Sequence, residues 1–127
     1  MHKTYKKEKN LLIVDHSSLI IERLLNILKD VSSVKKIYTA ANYTEALDSL
    51  KENLSDIVLL DIELPGKRGI ELLKYITTDF PEVKVIIQTN LSSHYYQTLC
   101  KKLGVLAFID KSKEFDLIPE IIAAIKD

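Results

Sequence analysis

The 127-residue chain has the length of a single domain, and its 18 basic and 18 acidic residues leave no formal net charge. That balance gives no support for nucleic-acid binding through bulk charge. No apolar stretch approaches the ~20 residues of a membrane-spanning helix, so we expect no membrane segment. The single cysteine, Cys100, excludes an intrachain disulfide and fits a cytoplasmic location.

Short apolar runs alternate along the chain with segments of helical spacing. Residues 1–9 come first, a lysine-rich stretch without the apolar core of a signal peptide, and we expect a frayed tail. The apolar runs then cover residues 11–14, 37–41, 57–60, 83–87 and 105–109. Each is short and nearly continuous, which is typical of strands buried on both faces of a parallel sheet.

The segments between these runs carry helix signals. The first has apolar residues at helical spacing, at Ile21, Leu24, Leu25 and Leu28. Asn42 with Glu45 three residues later indicates a capped helix start, and Gly104 indicates a helix end. Five strands alternating with five helices predict a doubly wound α/β fold with a five-stranded parallel sheet in the flavodoxin-like order 2-1-3-4-5.

Polar residues stand where the predicted strands end. Asp15 and His16 follow the first apolar run, Asp61 the third, Thr89 the fourth and Lys111 the fifth. Ligands bind at the carboxyl ends of the strands in such sheets. Two carboxylates attract a hard dication such as Mg²⁺, and a hydroxyl and an ammonium suit phosphoryl oxygens. The combination indicates phosphoryl transfer to a carboxylate, with an acyl phosphate as product.

The chain resembles the receiver domain of bacterial two-component response regulators. The resemblance lies in LLIVD, DIVLLDIELPGKRGIELL, VIIQTN and GVLAFIDKS, which stand in matching order from residue 11 to about residue 126. It implies a (βα)5 receiver fold and a single domain over residues 1–127. It also implies that the protein is not an enzyme, except that it takes part in its own phosphorylation and dephosphorylation.

The resemblance also implies a role for each strand-end residue. Asp61 matches the phosphoacceptor and Asp15 the first member of an acidic pair. Thr89 matches the switch hydroxyl, and Lys111 matches the lysine that pairs with the phosphoryl group. Glu63 matches the position whose backbone carbonyl binds the metal. The implied metal site is therefore Asp15, Asp61 and the Glu63 carbonyl, with Mg²⁺ as the ion.

The implied partners are proteins. A sensor histidine kinase or a phosphotransfer protein would supply the phosphoryl group, and a downstream protein would receive the signal. Phe108 matches an aromatic switch position, and with Tyr95 and Leu106 it is a candidate contact on the face of the fourth helix, fifth strand and fifth helix. A homodimer that forms through this face is the alternative.

Three residues depart from the receiver pattern. His16 stands where a second acid is usual, so we expect a weakened Mg²⁺ site in which His16 turns away or favours an imidazole-tolerant metal such as Mn²⁺. The alternative is that His16 is an ordinary loop residue and that a water molecule fills the ligand position of the missing acid. Gln88 is polar where an aliphatic residue is usual. Ser112 replaces a common proline, and we expect a cis Lys111–Ser112 bond.

Three functions remain open at this point. The first is a stand-alone phosphoacceptor with output through protein contact or a phosphorelay. The second is a receiver-fold interaction module that acts without phosphorylation because His16 breaks the acidic pair. The third is a metabolic enzyme on a flavodoxin-like scaffold. Only three glycines are present and no phosphate-binding glycine motif occurs, which disfavours the third.

Overall fold

The computed structural model describes residues 8–126, apart from the side chain of Lys67. The strands are β1 (Lys9–Val14), β2 (Val34–Ala40), β3 (Ile57–Leu60), β4 (Lys84–Thr89) and β5 (Ala107–Asp110). The helices are α1 (Ser18–Leu28), α2 (Tyr43–Glu52), α3 (Gly69–Asp79), α4 (His94–Lys102) and α5 (Ile118–Ala123), with 3-10 turns at Pro65–Lys67 and Phe115–Leu117. All strand pairings are parallel, and the sheet order β2-β1-β3-β4-β5 confirms the prediction.

Helices cover both faces of the sheet, and each face has its own core. Leu11 and Ile13 of β1 pack on the side of α1 and α5. Leu12 and Val14 pack on the side of α2, α3 and α4. All four side chains are fully buried. Because alternate residues of a strand point to opposite faces, a strand covered on both sides is apolar at nearly every position.

Two strands begin earlier than the apolar pattern indicates. β1 begins at Lys9, whose N–H donates to the Ser33 carbonyl at 2.7 Å and whose side chain is buried. The predicted frayed tail is therefore wrong for Lys9, and residues 1–7 of that prediction lie outside the described residues. β2 begins at Val34, three residues before the apolar run. As an edge strand it exposes Lys35 and Lys36, so its apolar signal is weak.

The predicted helix signals act as the sequence indicates. Asn42 caps α2 by accepting the Glu45 N–H at 2.9 Å, and Glu45 accepts in turn from the Ala41 N–H at 2.8 Å. Gly104 follows α4 with a φ of 90°, a conformation that favours glycine. Cys100, on α4, is fully buried in the core, and burial raises the pKa of its thiol to about 11.

Gly69, at the start of α3, allows the helix to contact the loop that follows β3. A Cβ atom built there would lie 2.2 Å from the carbonyl oxygen of Ile62, the residue after Asp61. We expect Gly69→Ala to lower the free energy of unfolding by about 3 kcal/mol, because backbone rather than a flexible side chain must move. Urea denaturation measures the loss. Thr78→Ala, an exposed change on the same helix, should stay within about 0.5 kcal/mol of the wild type, and an equal loss in both variants would contradict the steric explanation.

Candidate phosphoacceptor site

The strand ends bring four polar side chains to one edge of the sheet: Asp15 follows β1, Asp61 follows β3, Thr89 ends β4 and Lys111 follows β5. Backbone hydrogen bonds hold these ends in register. The Asp61 N–H donates to the Val14 carbonyl at 3.0 Å, and the Lys111 N–H donates to the Thr89 carbonyl at 2.9 Å. Both carboxylates and the threonine are fully buried. The four residues singled out in the sequence therefore lie in one cluster.

Each carboxylate is fixed by its own loop. Asp15 Oδ1 accepts the N–H of Ser17 at 2.8 Å, and Asp61 Oδ1 accepts the N–H of Glu63 at 2.8 Å. Both bonds join a side chain to the amide two residues later, the geometry of an Asx turn. The aspartates thus end their strands as turn residues and present their carboxylates to the site at the same time.

Lys111 joins the two carboxylates. Its Nζ lies 2.6 Å from Asp61 Oδ2 and 2.7 Å from Asp15 Oδ2, and only 7% of the lysine side chain is exposed. Burial lowers the pKa of the Lys111 ammonium, but the hydrogen bonds and charges of Asp15 and Asp61 outweigh it, so that the pKa lies above its usual value. One ammonium therefore balances two buried carboxylates, and these three groups sum to a single negative charge.

Thr89 contacts the same carboxylate from the other side. Its hydroxyl donates to Asp61 Oδ1 at 2.7 Å and accepts the Leu91 N–H at 3.2 Å. Asp61 therefore has a donor on each oxygen, a hydroxyl and a backbone amide on Oδ1 and an ammonium on Oδ2. These donors are suited to oxygens of a phosphoryl group carried by the same residue.

Residues 11–123 match the model of the response regulator receiver domain. The chain belongs to this family. It is 30% identical over 115 residues to the transcriptional regulatory protein LnrK of Bacillus subtilis, covering 91% of this chain and 52% of that protein. It is 32% identical over 109 residues to a protein-glutamate methylesterase/protein-glutamine glutaminase of Clostridium acetobutylicum, covering 84% of this chain and 32% of that protein. The chain thus spans about half of the first relative's length and about a third of the second's.

Solved receiver structures share the fold. A CheY-like receiver domain protein from Methanospirillum hungatei is 28% identical with a TM-score of 0.79, covering 91% of this chain and 92% of that one. The receiver domain of a DNA-binding response regulator from Colwellia psychrerythraea has a TM-score of 0.83 at 23% identity, covering 91% of this chain and 95% of that one. The chain therefore carries a receiver domain of two-component signalling, a class that is usually non-catalytic apart from its own phosphorylation.

Gln88 is a further member of this receiver's site. Its Nε2 donates to Asp15 Oδ2 at 2.9 Å, and the side chain is fully buried. Its Oε1 is buried with no hydrogen-bond partner among residues 8–126. The sequence marks Gln88 as a departure from the family, but the residue's role was missed. The available signal was a polar residue directly before Thr89, near the carboxyl end of an otherwise apolar run.

His16 stays close to the carboxylates. The residue is exposed, yet one ring nitrogen and one oxygen each of Asp15 and Asp61 lie within 4.8 Å of one another. Ser17 is tied to Asp15 by a hydrogen bond, so the chain turns tightly and His16 lies at the rim of the site. Whether His16 turns away from a bound Mg²⁺ or favours an imidazole-tolerant metal stays a prediction. Two carboxylates and an imidazole form a donor set that fits a divalent cation.

The Lys111–Ser112 peptide bond is trans, so the predicted cis bond is wrong. Ser112 donates to Asp110 Oδ1 with its N–H at 2.9 Å and with its hydroxyl at 2.7 Å. This turn after β5 lets the Lys111 side chain reach both carboxylates with a trans bond. Asp110 has a pKa below its usual value because the hydroxyls of Ser112 and Ser92 donate to it.

The candidate contact residues differ in their exposure to solvent. Tyr95 on α4 is 67% exposed, and Leu106, just before β5, is 50% exposed. Phe108 is partly buried against the core that α2, α3 and α4 share.

Among residues 8–126, no helix is long and apolar enough to cross a membrane.

Proposed function

We propose that this receiver accepts a phosphoryl group on Asp61. The observation that carries the proposal is the convergence of Lys111 Nζ, the Thr89 hydroxyl and the Glu63 N–H on one buried carboxylate, at 2.6 to 2.8 Å. A carboxylate oxygen of Asp61 would attack the phosphorus, and the bond from phosphorus to the donor's leaving group would break, with the electron pair departing on the leaving group.

Each donor has a distinct part in this reaction. Lys111 would balance charge on a phosphoryl oxygen, and the Thr89 hydroxyl would bond a second one. Asp15, Asp61 and the Glu63 carbonyl would hold the divalent cation, Mg²⁺ in the family. When bound, that cation offsets negative charge on the phosphoryl oxygens. With His16 in place of an acid, we expect this Mg²⁺ site to be weak.

The test is incubation with a small phosphodonor and a dication, followed by intact-mass measurement. We expect the mass of one phosphoryl group to be added to the wild-type chain in the presence of Mn²⁺ or Mg²⁺. No added mass with either ion would overturn the proposal.

An interaction module that acts without phosphorylation is the second candidate. Two observations favour it: an imidazole, His16, stands where the resemblance implies a second acid, and the Thr89 hydroxyl already bonds Asp61 at 2.7 Å in the unphosphorylated protein. A chain of this kind would bind its target equally well before and after treatment with the phosphodonor. The same incubation, followed by a binding measurement, separates the two candidates.

Signalling would proceed through proteins. We propose a sensor histidine kinase or a phosphotransfer protein as the donor, and a downstream protein or a phosphorelay as the output, in the cytoplasm, in keeping with the free, buried Cys100. The exposed Tyr95 and Leu106 make the face formed by α4, β5 and α5 the candidate contact surface, either for that partner or for a homodimer.

Phosphorylation should shift amide NMR signals on this face. Because Thr89 lies between Asp61 and the loop into α4, a change in its hydrogen bonds biases that loop. We expect the largest shifts outside the site at residues 91–108, and smaller shifts on α2, which serves as the internal control. Shifts confined to α2 and α3 would contradict output through the α4–β5–α5 face.

A further inference from the structure

We infer that His16 is itself a metal ligand and turns this site from Mg²⁺ towards first-row transition-metal dications that accept imidazole, of which Mn²⁺ is the test ion. The inference rests on the proposed function only in that Asp15 and Asp61 supply the other side-chain ligands. It deepens that function by assigning the class of cation.

The positions of the three side chains carry the inference. One ring nitrogen of His16 and one oxygen each of Asp15 and Asp61 lie within 4.8 Å of one another. Ligand atoms on opposite sides of an octahedral ion with bonds of about 2.1 Å lie about 4.2 Å apart. Adjacent ligand atoms of such an ion lie about 3.0 Å apart, so the three atoms must approach one another by up to about 2 Å to share one ion.

The imidazole is free to make that approach. Within residues 8–126 no hydrogen bond holds the His16 ring, whereas both carboxylates are anchored by the amides of Ser17 and Glu63. A cleft of about 510 Å³ opens beside His16, between Glu63 and Tyr96, and gives an ion access from solvent. The site thus combines two fixed oxygen ligands with one adjustable nitrogen ligand.

The charge balance disfavours Mg²⁺. Asp15, Asp61 and Lys111 together carry one negative charge, and a neutral imidazole adds none where a carboxylate would add a second. Mg²⁺ is a hard ion that prefers oxygen ligands, so it gains little from a ring nitrogen. Mn²⁺ and later first-row ions bind imidazole, and their affinity for mixed nitrogen and oxygen sites rises along the series.

The experiment measures metal binding on the unphosphorylated chain. Free Mn²⁺ is followed by electron paramagnetic resonance, and Mg²⁺ by competition against it, in the wild type, His16→Asp and His16→Gln. Electron spin-echo modulation of bound Mn²⁺ reports directly on a nitrogen ligand. We expect nitrogen modulation in the wild type and none in either variant. We also expect His16→Gln to bind Mn²⁺ about tenfold more weakly, and His16→Asp to bind Mg²⁺ more tightly than the wild type.

Controls assign the signal to this site. His94→Gln, an exposed change on α4, should leave both affinities and the nitrogen modulation unchanged. Circular dichroism verifies that each variant folds. Wild-type Mn²⁺ without nitrogen modulation, an unchanged ratio of Mn²⁺ to Mg²⁺ affinity in His16→Gln, or no Mn²⁺ binding by the wild type would each overturn the inference. Because no phosphodonor is present, these outcomes are independent of whether Asp61 is phosphorylated.

Discussion

Asp61→Asn should reduce acyl-phosphate formation to background. An amide in place of the carboxylate is no nucleophile towards phosphorus, so the reaction loses its acceptor. The variant should still fold, because an asparagine oxygen can accept from the Thr89 hydroxyl and the Glu63 amide as Oδ1 does. Lys111 keeps its contact with Asp15 at 2.7 Å. The measurement is incorporation of labelled phosphate from a small phosphodonor.

Asp48→Asn is the matched control for this change. Asp48 is an exposed carboxylate on α2 and is not one of the strand-end site residues. Its replacement should leave labelling at the wild-type level. Undiminished labelling in Asp61→Asn would remove Asp61 as the acceptor. Equal losses in both variants would point to a defect unrelated to the acceptor.

Lys111→Met should destabilise the unphosphorylated chain by about 3 kcal/mol, because it leaves two buried carboxylates with no cation between them. Urea denaturation at neutral pH measures the change. Lys113→Met, an exposed change in the same loop, should lie within about 0.5 kcal/mol of the wild type. Adding Asp61→Asn to Lys111→Met should recover part of the lost stability, since one of the two negative charges is then removed. No recovery in the double variant would contradict the electrostatic explanation.

The same ammonium gives the wild type a sensitivity to alkali. The pKa of Lys111 is raised in the folded chain by Asp15 and Asp61, despite the opposing effect of burial. A group with a raised folded pKa contributes its full stability below the unfolded pKa and loses it as pH rises through the folded pKa. Stability from this contact should therefore be complete at neutral pH and fall above about pH 10.5. Lys111→Met should lack this alkaline loss.

The sequence predicts that the four strand-end residues lie close together, because parallel strands place their carboxyl ends at one edge of the sheet. The sequence alone therefore groups Asp15, Asp61, Thr89 and Lys111 at one site. The bond from Gln88 to Asp15 could not be predicted, since it joins side chains 73 residues apart through a rotamer that the pattern does not encode.

Other differences arise where one interaction outweighs a local pattern. Lys9 looks like part of a polar tail, yet pairing with the loop before β2 draws it into β1. The Lys111–Ser112 bond is trans, the form that a peptide bond before a residue other than proline prefers, and the turn in which Asp110 accepts two hydrogen bonds from Ser112 still lets Lys111 reach the carboxylates.

The most direct test of Asp61 as phosphoacceptor is chemical mapping of the phosphorylated wild-type chain. Treatment with a small phosphodonor and Mn²⁺, followed by borohydride reduction, converts an aspartyl phosphate to homoserine at the residue that carried it, and peptide mass spectrometry then locates that residue. We expect homoserine at position 61 and at no other acid of the chain. Homoserine at position 15, 56 or 110 with aspartate intact at 61, or no conversion anywhere, would contradict the assignment.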